Sequence, residues 1–237
     1  MSAPLVFLPG WCVGRTPVKA TVDALEGEIF DLPGYGNAPL IADFYAAADD
    51  IAARLQPGTT LAGWSLGAQL ALAVAARHPD KVGKLVLVAG TTSFVQRDGW
   101  PHAMAPEMLA EFAAGIAADV EAMLPRFVGG FNRGDARAKA VTLELLQLAD
   151  PRPAAEVLAT GLNWLRDIDL RDIAPQVKAP TLLIHGAADP LMPLGAAEAL
   201  AALIPGAQLA VFDDCAHAPF ISRPDDFLAT VRRFLND

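Results

Sequence analysis

Apolar residues follow two rhythms along this chain. Short unbroken runs stand at 5–8 and at 84–89, another closes at 28–32, and two more lie at 180–185 and 208–212. Runs of four to six without polar alternation predict strands buried on both faces of a parallel sheet. A further run starts at 59, turns sharply at 63–67 and continues to 77 as an Ala/Leu-rich helix. Helical spacing of apolar positions recurs at 44–55, 194–203 and 225–235. Strands alternating with helices imply parallel βαβ units joined by right-handed crossovers. Between 92 and 173 this alternation stops. Helical patterns at 106–118, 120–127, 137–149 and 153–167 follow one another with no convincing strand. That is too long for a connection and too patterned for a linker. The expected fold class is therefore α/β: a mostly parallel sheet with flanking helices in a core of 1–91 and 174–237, and an all-helical cap over its carboxyl edge at 92–173.

The sharp turn carries the chemistry. Gly63-Trp64-Ser65-Leu66-Gly67 is a Gly-X-Ser-X-Gly pattern between strand and helix, in which a serine occupies a strained turn with its hydroxyl above the sheet. Glycines flank the serine because the strand and helix backbones pass too close for side chains. The positive end of the helix dipole points at the same spot, where it suits a developing oxyanion. A serine hydroxyl needs a histidine as base and a carboxylate to orient that histidine, in the order serine, acid, histidine for this turn type. Asp189 follows the strand at 180–185, and His217 follows the strand at 208–212. Asp213 and Asp214 compete as acids from the histidine's own loop. The oxyanion donors expected are the N–H of Leu66 and that of Trp11, after the first strand. Cys12, beside Trp11, reads as packing. His78 reads as a helix end, His185 as a buried strand end and His102 as part of the cap.

Composition narrows the partners. A chain that is 53% hydrophobic is not disordered. A net charge of −9 argues against a nucleic-acid-binding surface. No apolar run reaches the length of a membrane span, and the first residues lack the charged and apolar regions of a signal peptide. Two cysteines make no disulfide framework, and the four histidines have no metal-ligand spacing. The expectation is a cytoplasmic monomer that needs no metal and no organic cofactor. One stretch departs from the acidic average. Positions 122–141 hold Arg126, Arg133, Arg137 and Lys139 against the single acid Asp135. It is a candidate docking patch for an acidic partner, although such a run also suits a plain solvated face.

Several stretches resemble the α/β-hydrolase superfamily, and within it the pimeloyl-[acyl-carrier protein] methyl ester esterases of biotin synthesis. They are LPGW at 8–11, FDLPGYG at 30–36, GWSLGAQLAL at 63–72, TTSFVQRDGWP at 91–101 and CAHAPFISRPDDF at 215–227. The last two are the most specific, since a general esterase needs neither. The resemblance implies hydrolysis of a methyl ester on a dicarboxylate chain carried by an acidic acyl carrier protein. It implies substrate contacts at Trp11, Ser65 with Leu66, Phe127 and Phe131 in the cap, and His217. Three departures stand beside it. The chain reaches 5–8 without the family's usual leading strand pair, Pro9-Gly10 replaces the usual His-Gly, and Ala68 stands where a second glycine is common. Two other functions fit the same fold: a C–C hydrolase or lyase of menaquinone synthesis or aromatic ring cleavage, and a non-catalytic ligand receptor.

Overall fold

The computed structural model describes residues 4–237, so the first three positions of the expected core lie outside the described residues. Strands β1 (Leu5–Leu8), β2 (Glu28–Ile29), β3 (Thr59–Trp64), β4 (Val82–Val88), β5 (Thr181–Gly186) and β6 (Gln208–Phe212) form one sheet in the order β2-β1-β3-β4-β5-β6. Every neighbouring pair is parallel. The order reverses between β1 and β3. At such a switch point, consecutive connections leave to opposite sides and open a crevice beyond the carboxyl ends of the strands. Register aligns those ends: Leu8 pairs with Gly63, Trp64 with Val88, and Gly186 with Phe212.

The helices are α1 (Thr16–Ala24), α2 (Phe44–Arg54), α3 (Leu66–Arg77), α4 (Pro106–Ala118), α5 (Val120–Phe131), α6 (Ala138–Leu148), α7 (Ala155–Asp167), α8 (Leu194–Leu203), α9 (Pro219–Ser222) and α10 (Pro224–Asn236). The helix α3 follows the serine turn and is buried along almost its whole length, from Leu66 to Ala76. Its Ala/Leu composition permits this, because a helix apolar on every side belongs in the interior. All six residues of β3 are buried as well.

Between β4 and β5 the chain holds α4 to α7, and the stretch 92–105 before them has only isolated bridges, Val95 with Met104 and Arg97 with Trp100. Helices α4, α5 and α6 each bury only two residues, whereas α7 buries six. α7 is the anchor of this group. Its Trp164 indole donates to Ala42 O at 2.7 Å, tying it to the chain just before α2.

Some elements differ from the sequence expectation. α1 is unmarked by the apolar rhythm, yet it forms with Pro17 in its first turn and buries Val18, Thr21 and Val22. α5 does not stop at Phe127 but runs to Phe131 through Gly129 and Gly130, with Pro125 inside it. β2 is two residues long. The Phe30 N–H still donates to Phe7 O at 3.1 Å, and Pro33 then removes a donor from any further ladder.

Candidate active site

Three side chains from distant parts of the chain meet at the switch point. Ser65 follows β3 with φ 56° and ψ −118°, a positive-φ conformation that costs a non-glycine residue about 1–3 kcal/mol. The surroundings enforce it. Ser65 N–H donates to Val88 O at 2.9 Å, and the first turn of α3 closes onto Ser65 O from the N–H of Ala68. A Cβ on Gly63 would lie 2.2 Å from Gly67 O, and one on Gly67 would lie 2.3 Å from Leu8 O and Pro9 O. No side chain fits at either flank, so the pattern glycines are required by backbone proximity.

The His217 ring sits 3.0 Å from Ser65 Oγ through Nε2 and 2.7 Å from Asp189 Oδ2 through Nδ1. A carboxylate oxygen accepts, so Nδ1 carries the proton and the Nε2 lone pair faces the serine hydroxyl. The other oxygen of Asp189, Oδ1, accepts the N–H groups of Leu191 at 2.8 Å and Met192 at 3.0 Å. The carboxylate is thus fixed by donors on both oxygens, which is what a group only 4% exposed requires. Trp64, between Gly63 and Ser65, adds a second hold on the base. Its indole donates to His217 O at 2.8 Å, so strand β3 fixes the histidine backbone too.

The competing candidates stand elsewhere. Asp213 and Asp214 are exposed, and Asp214 lies 3.8 Å from Arg223. His78 caps α3 and reaches Asp49 at 2.7 Å. His102 is exposed in the stretch before α4. His185 is buried at the end of β5, and its Nε2 donates to Met192 O at 2.7 Å. Burial lowers its pKa below the usual histidine value, against the pull of Asp189 3.9 Å away, and keeps the ring neutral. Burial pushes the thiol of Cys12 up far out of the reactive range and that of Cys215 up to about 12. Neither is a nucleophile at neutral pH.

Donors for a developing negative charge are present. Among the described residues no protein acceptor takes the N–H of Leu66 or that of Trp11. The first follows from geometry, since the leading N–H groups of a helix have no partner within it. The Trp11 loop is held from two sides. Cys12 N–H donates to the Tyr35 hydroxyl at 2.9 Å, and Trp11 Nε1 donates to Leu158 O of α7 at 3.1 Å.

The space over Ser65 is closed. It measures about 10 Å³ and is walled by Trp11, Phe94, Phe127, Phe131, Leu165 and Leu191. That is no more than one water needs, so an ester enters only when side chains move. Phe127 packs edge-on against Trp11 at 5.5 Å and Phe131 at 5.2 Å, and Phe112 stacks on it at 4.8 Å. A larger groove, about 860 Å³, lies elsewhere, between the ends of α4 and α7, with Ile116, Leu158 and Leu162 in its wall. Phe94, Leu165 and Leu191 are chamber residues that sequence reasoning did not single out. Phe94 stands inside the 91–101 stretch that carries the resemblance, which was the signal available for it. Among the described residues no group of three His, Cys, Asp or Glu side chains is arranged to hold a metal ion, and no helix is long and apolar enough to cross a membrane.

Comparison with known proteins agrees with this architecture. The alpha/beta hydrolase family model matches residues 5–230. A pimeloyl-[acyl-carrier protein] methyl ester esterase of Aromatoleum aromaticum is 41% identical, with 94% of each chain covered. One of Nitrosomonas europaea is 37% identical, over 95% of this chain and 92% of the relative. Among solved structures, an esterase from Exiguobacterium antarcticum superposes with a TM-score of 0.86 at 26% identity, covering all of this chain and 94% of that one.

Proposed function

This chain belongs to the alpha/beta hydrolase family, and on that premise we propose that it is a serine carboxylesterase that hydrolyses a methyl ester on a pimeloyl-type chain carried by acyl carrier protein, in biotin synthesis. The observation that carries the reading is the unbroken relay from Ser65 Oγ through the His217 ring to Asp189, beside two unpartnered N–H groups. The curated relatives supply the substrate, since their names specify a pimeloyl methyl ester on a carrier protein.

Ser65 Oγ attacks the ester carbonyl while His217 Nε2 takes its proton. Asp189 holds the ring and stabilises its charged form. The N–H groups of Leu66 and Trp11 receive the oxyanion. The tetrahedral intermediate collapses, the proton passes from Nε2 to the leaving oxygen, and methanol departs. A water that gives its proton to the same nitrogen then attacks the acyl-serine and releases the free acid. No metal or organic cofactor takes part. Residues 92–173 serve as a cap on a core of 1–91 and 174–237, and Phe127 and Phe131 contact the acyl chain. The protein acts as a monomer in the cytoplasm, with no membrane or nucleic-acid partner.

Arg126 and Arg133 are exposed on and after α5 and suit an acidic carrier. Arg137 differs from them. Its Nη1 donates to Ser222 O at 2.8 Å and Ile221 O at 3.3 Å, so its first duty is to hold the chain near His217. Two experiments separate these roles. A fluorophosphonate probe labels Ser65, and Ser65→Ala lowers kcat by roughly 10³-fold or more. Unchanged turnover in that variant refutes the reading. Arg126→Glu with Arg133→Glu raises KM for a carrier-linked ester, less so in added salt, and spares a small free ester. Equal loss on both substrates refutes the docking role.

A further inference from the structure

Asp135 is the one acid in the basic stretch 122–141, and it does not lie among those charges at the surface. It stands in the turn between α5 and α6, only 7% exposed, and points toward the loop that carries His217. Its Oδ2 accepts the N–H of Ala216 at 2.9 Å, the residue directly before the histidine. Its Oδ1 accepts the Ser222 hydroxyl at 2.9 Å and the N–H of Arg137 at 2.7 Å. A backbone bond runs alongside, from Ala136 N–H to Asp214 O at 3.0 Å. A buried carboxylate requires such donors, and bonds to an ionised acceptor are the stronger and more directional kind. Every donor here is an N–H or O–H whose position the carboxylate sets.

The His217 ring is already oriented by Asp189, and its carbonyl is held by Trp64. Neither touches the Cys215–Ala216 peptide just before it, whose carbonyl accepts the Ala188 N–H at 2.9 Å and whose N–H is left to Asp135. We propose that Asp135, supplied by the helical segment between β4 and β5, is a positioning residue that holds the Cys215–Ala216 peptide, one link before the histidine, so that Nε2 stays within reach of Ser65 Oγ. The histidine loop is thereby fixed from three sides, by β5 through Asp189, by β3 through Trp64 and by the helical segment through Asp135. The inference rests on the serine-hydrolase reading, because it assigns Asp135 a share in that geometry.

A positioning role predicts a loss in the chemical step rather than in binding. Asp135→Asn keeps the shape, removes the charge and turns one acceptor into a donor that cannot serve both partners. It should lower kcat by roughly 10- to 100-fold, in line with the cost of about an ångström of misplacement. KM for a small activated ester should stay within about twofold, since Asp135 does not line the chamber. Labelling of Ser65 by a fluorophosphonate should slow in parallel. The low-field proton resonance of the His217 Nδ1–H should broaden, a signal that a merely structural staple would leave intact in a folded variant. If Asp135→Asn does not fold, Asp135→Glu keeps the charge but overreaches the loop, and the same kcat loss with retained KM is expected of it. A folded variant with kcat within about twofold of the parent overturns the proposal, whatever its melting temperature. So does an equal decline in binding and turnover. If the unaltered protein neither labels nor turns over esters, the hydrolase reading itself fails and takes this one with it.

Discussion

The two halves of the site are built in opposite ways. On the core side, Ser65 is fixed by backbone alone: a strained φ, two glycines with backbone at 2.2–2.3 Å from where a Cβ would stand, and a helix buried almost throughout. On the other side, Phe127 and Phe131 close the chamber from α5, a helix that buries two residues and contains Pro125, Gly129 and Gly130. A proline inside a helix removes one hydrogen bond, and each glycine weakens a helix by roughly 0.5–1 kcal/mol relative to alanine. On the proposed function, the reacting serine sits where the backbone cannot shift, and the wall that must move to admit substrate belongs to a compliant helix. Rigidity and compliance are divided by element, and the glycines beside the site mark the division: Gly63 and Gly67 stand at close contact with backbone, Gly129 and Gly130 in open helix.

Four sets of substitutions test this contrast. The largest effect is expected from Asp189→Asn, which presents the His217 ring with a donor where it needs an acceptor. kcat should fall by roughly 10⁴-fold in a steady-state ester assay. Asp213→Asn and Asp214→Asn, both at the surface, should stay within about twofold of the parent. A result in which either of those carries the loss would remove Asp189 from the relay. Next comes Gly67→Ala. Its Cβ meets two carbonyl oxygens at 2.3 Å, and neither can retreat without breaking the β1–β3 register. Denaturant unfolding should show a loss of about 3 kcal/mol or more. Tolerance of that alanine would mean the turn is softer than its geometry states.

A smaller effect concerns acid. Burial lowers the pKa of His185 below the value near 6.5 that it has in the unfolded chain. The unfolded state therefore takes up a proton that the folded state refuses, and stability falls as pH drops below about 6.5. His185→Gln retains a donor for Met192 O without a titrating ring, so its melting temperature should decline less steeply between neutral and acid pH. Equal slopes would exclude His185 as a source. The smallest effect, and of opposite sign, is expected from Gly129→Ala and Gly130→Ala. A Cβ at Gly130 meets nothing within 4 Å, and one at Gly129 meets only Thr142 at 3.8 Å. Each should raise stability by up to about 1 kcal/mol. The stiffer helix should also lower kcat/KM for a long-chain ester severalfold, measured beside a short ester that is affected less. Stabilisation without that selectivity would mean α5 does not gate the chamber.

How much of this was legible in the sequence depends on where the physical cause resides. The strands at 5–8 and 208–212 were, because continuous apolar runs have few other homes, and so was the serine turn, because its two glycines have a local steric reason. The placement of Asp189 and His217 in loops after β5 and β6 followed from chain order. α1 was not legible. Its inner face is only Pro17, Val18, Thr21 and Val22, too brief an apolar stripe to stand out, and Pro17 in its first turn was the one available mark. The extension of α5 through Gly129 and Gly130 runs against propensity, and packing of Phe131 on Trp64 at 6.4 Å overrides it. Asp135 was hidden for another reason. An aspartate beside glycine in a basic stretch reads as a surface turn, and only the folded chain shows that its partners, Ala216 and Ser222, lie 81 and 87 positions further on.

The parallel sheet has one more consequence, for how the protein comes into being. Ser65 and His217 are 152 positions apart, and Asp189 lies 28 before the histidine. Every strand pair closes through a long crossover, and pairings of that kind form slowly because loop closure precedes the contacts that reward it. During synthesis the serine turn leaves the ribosome well before its base exists. At roughly 5–20 residues per second, about 8 to 30 seconds separate the two. On the proposed mechanism, the serine is through that interval an ordinary hydroxyl with no base to activate it. On the same mechanism, reactivity toward a fluorophosphonate switches on only when β5 and β6 have docked, which makes Ser65 labelling a clock for that docking.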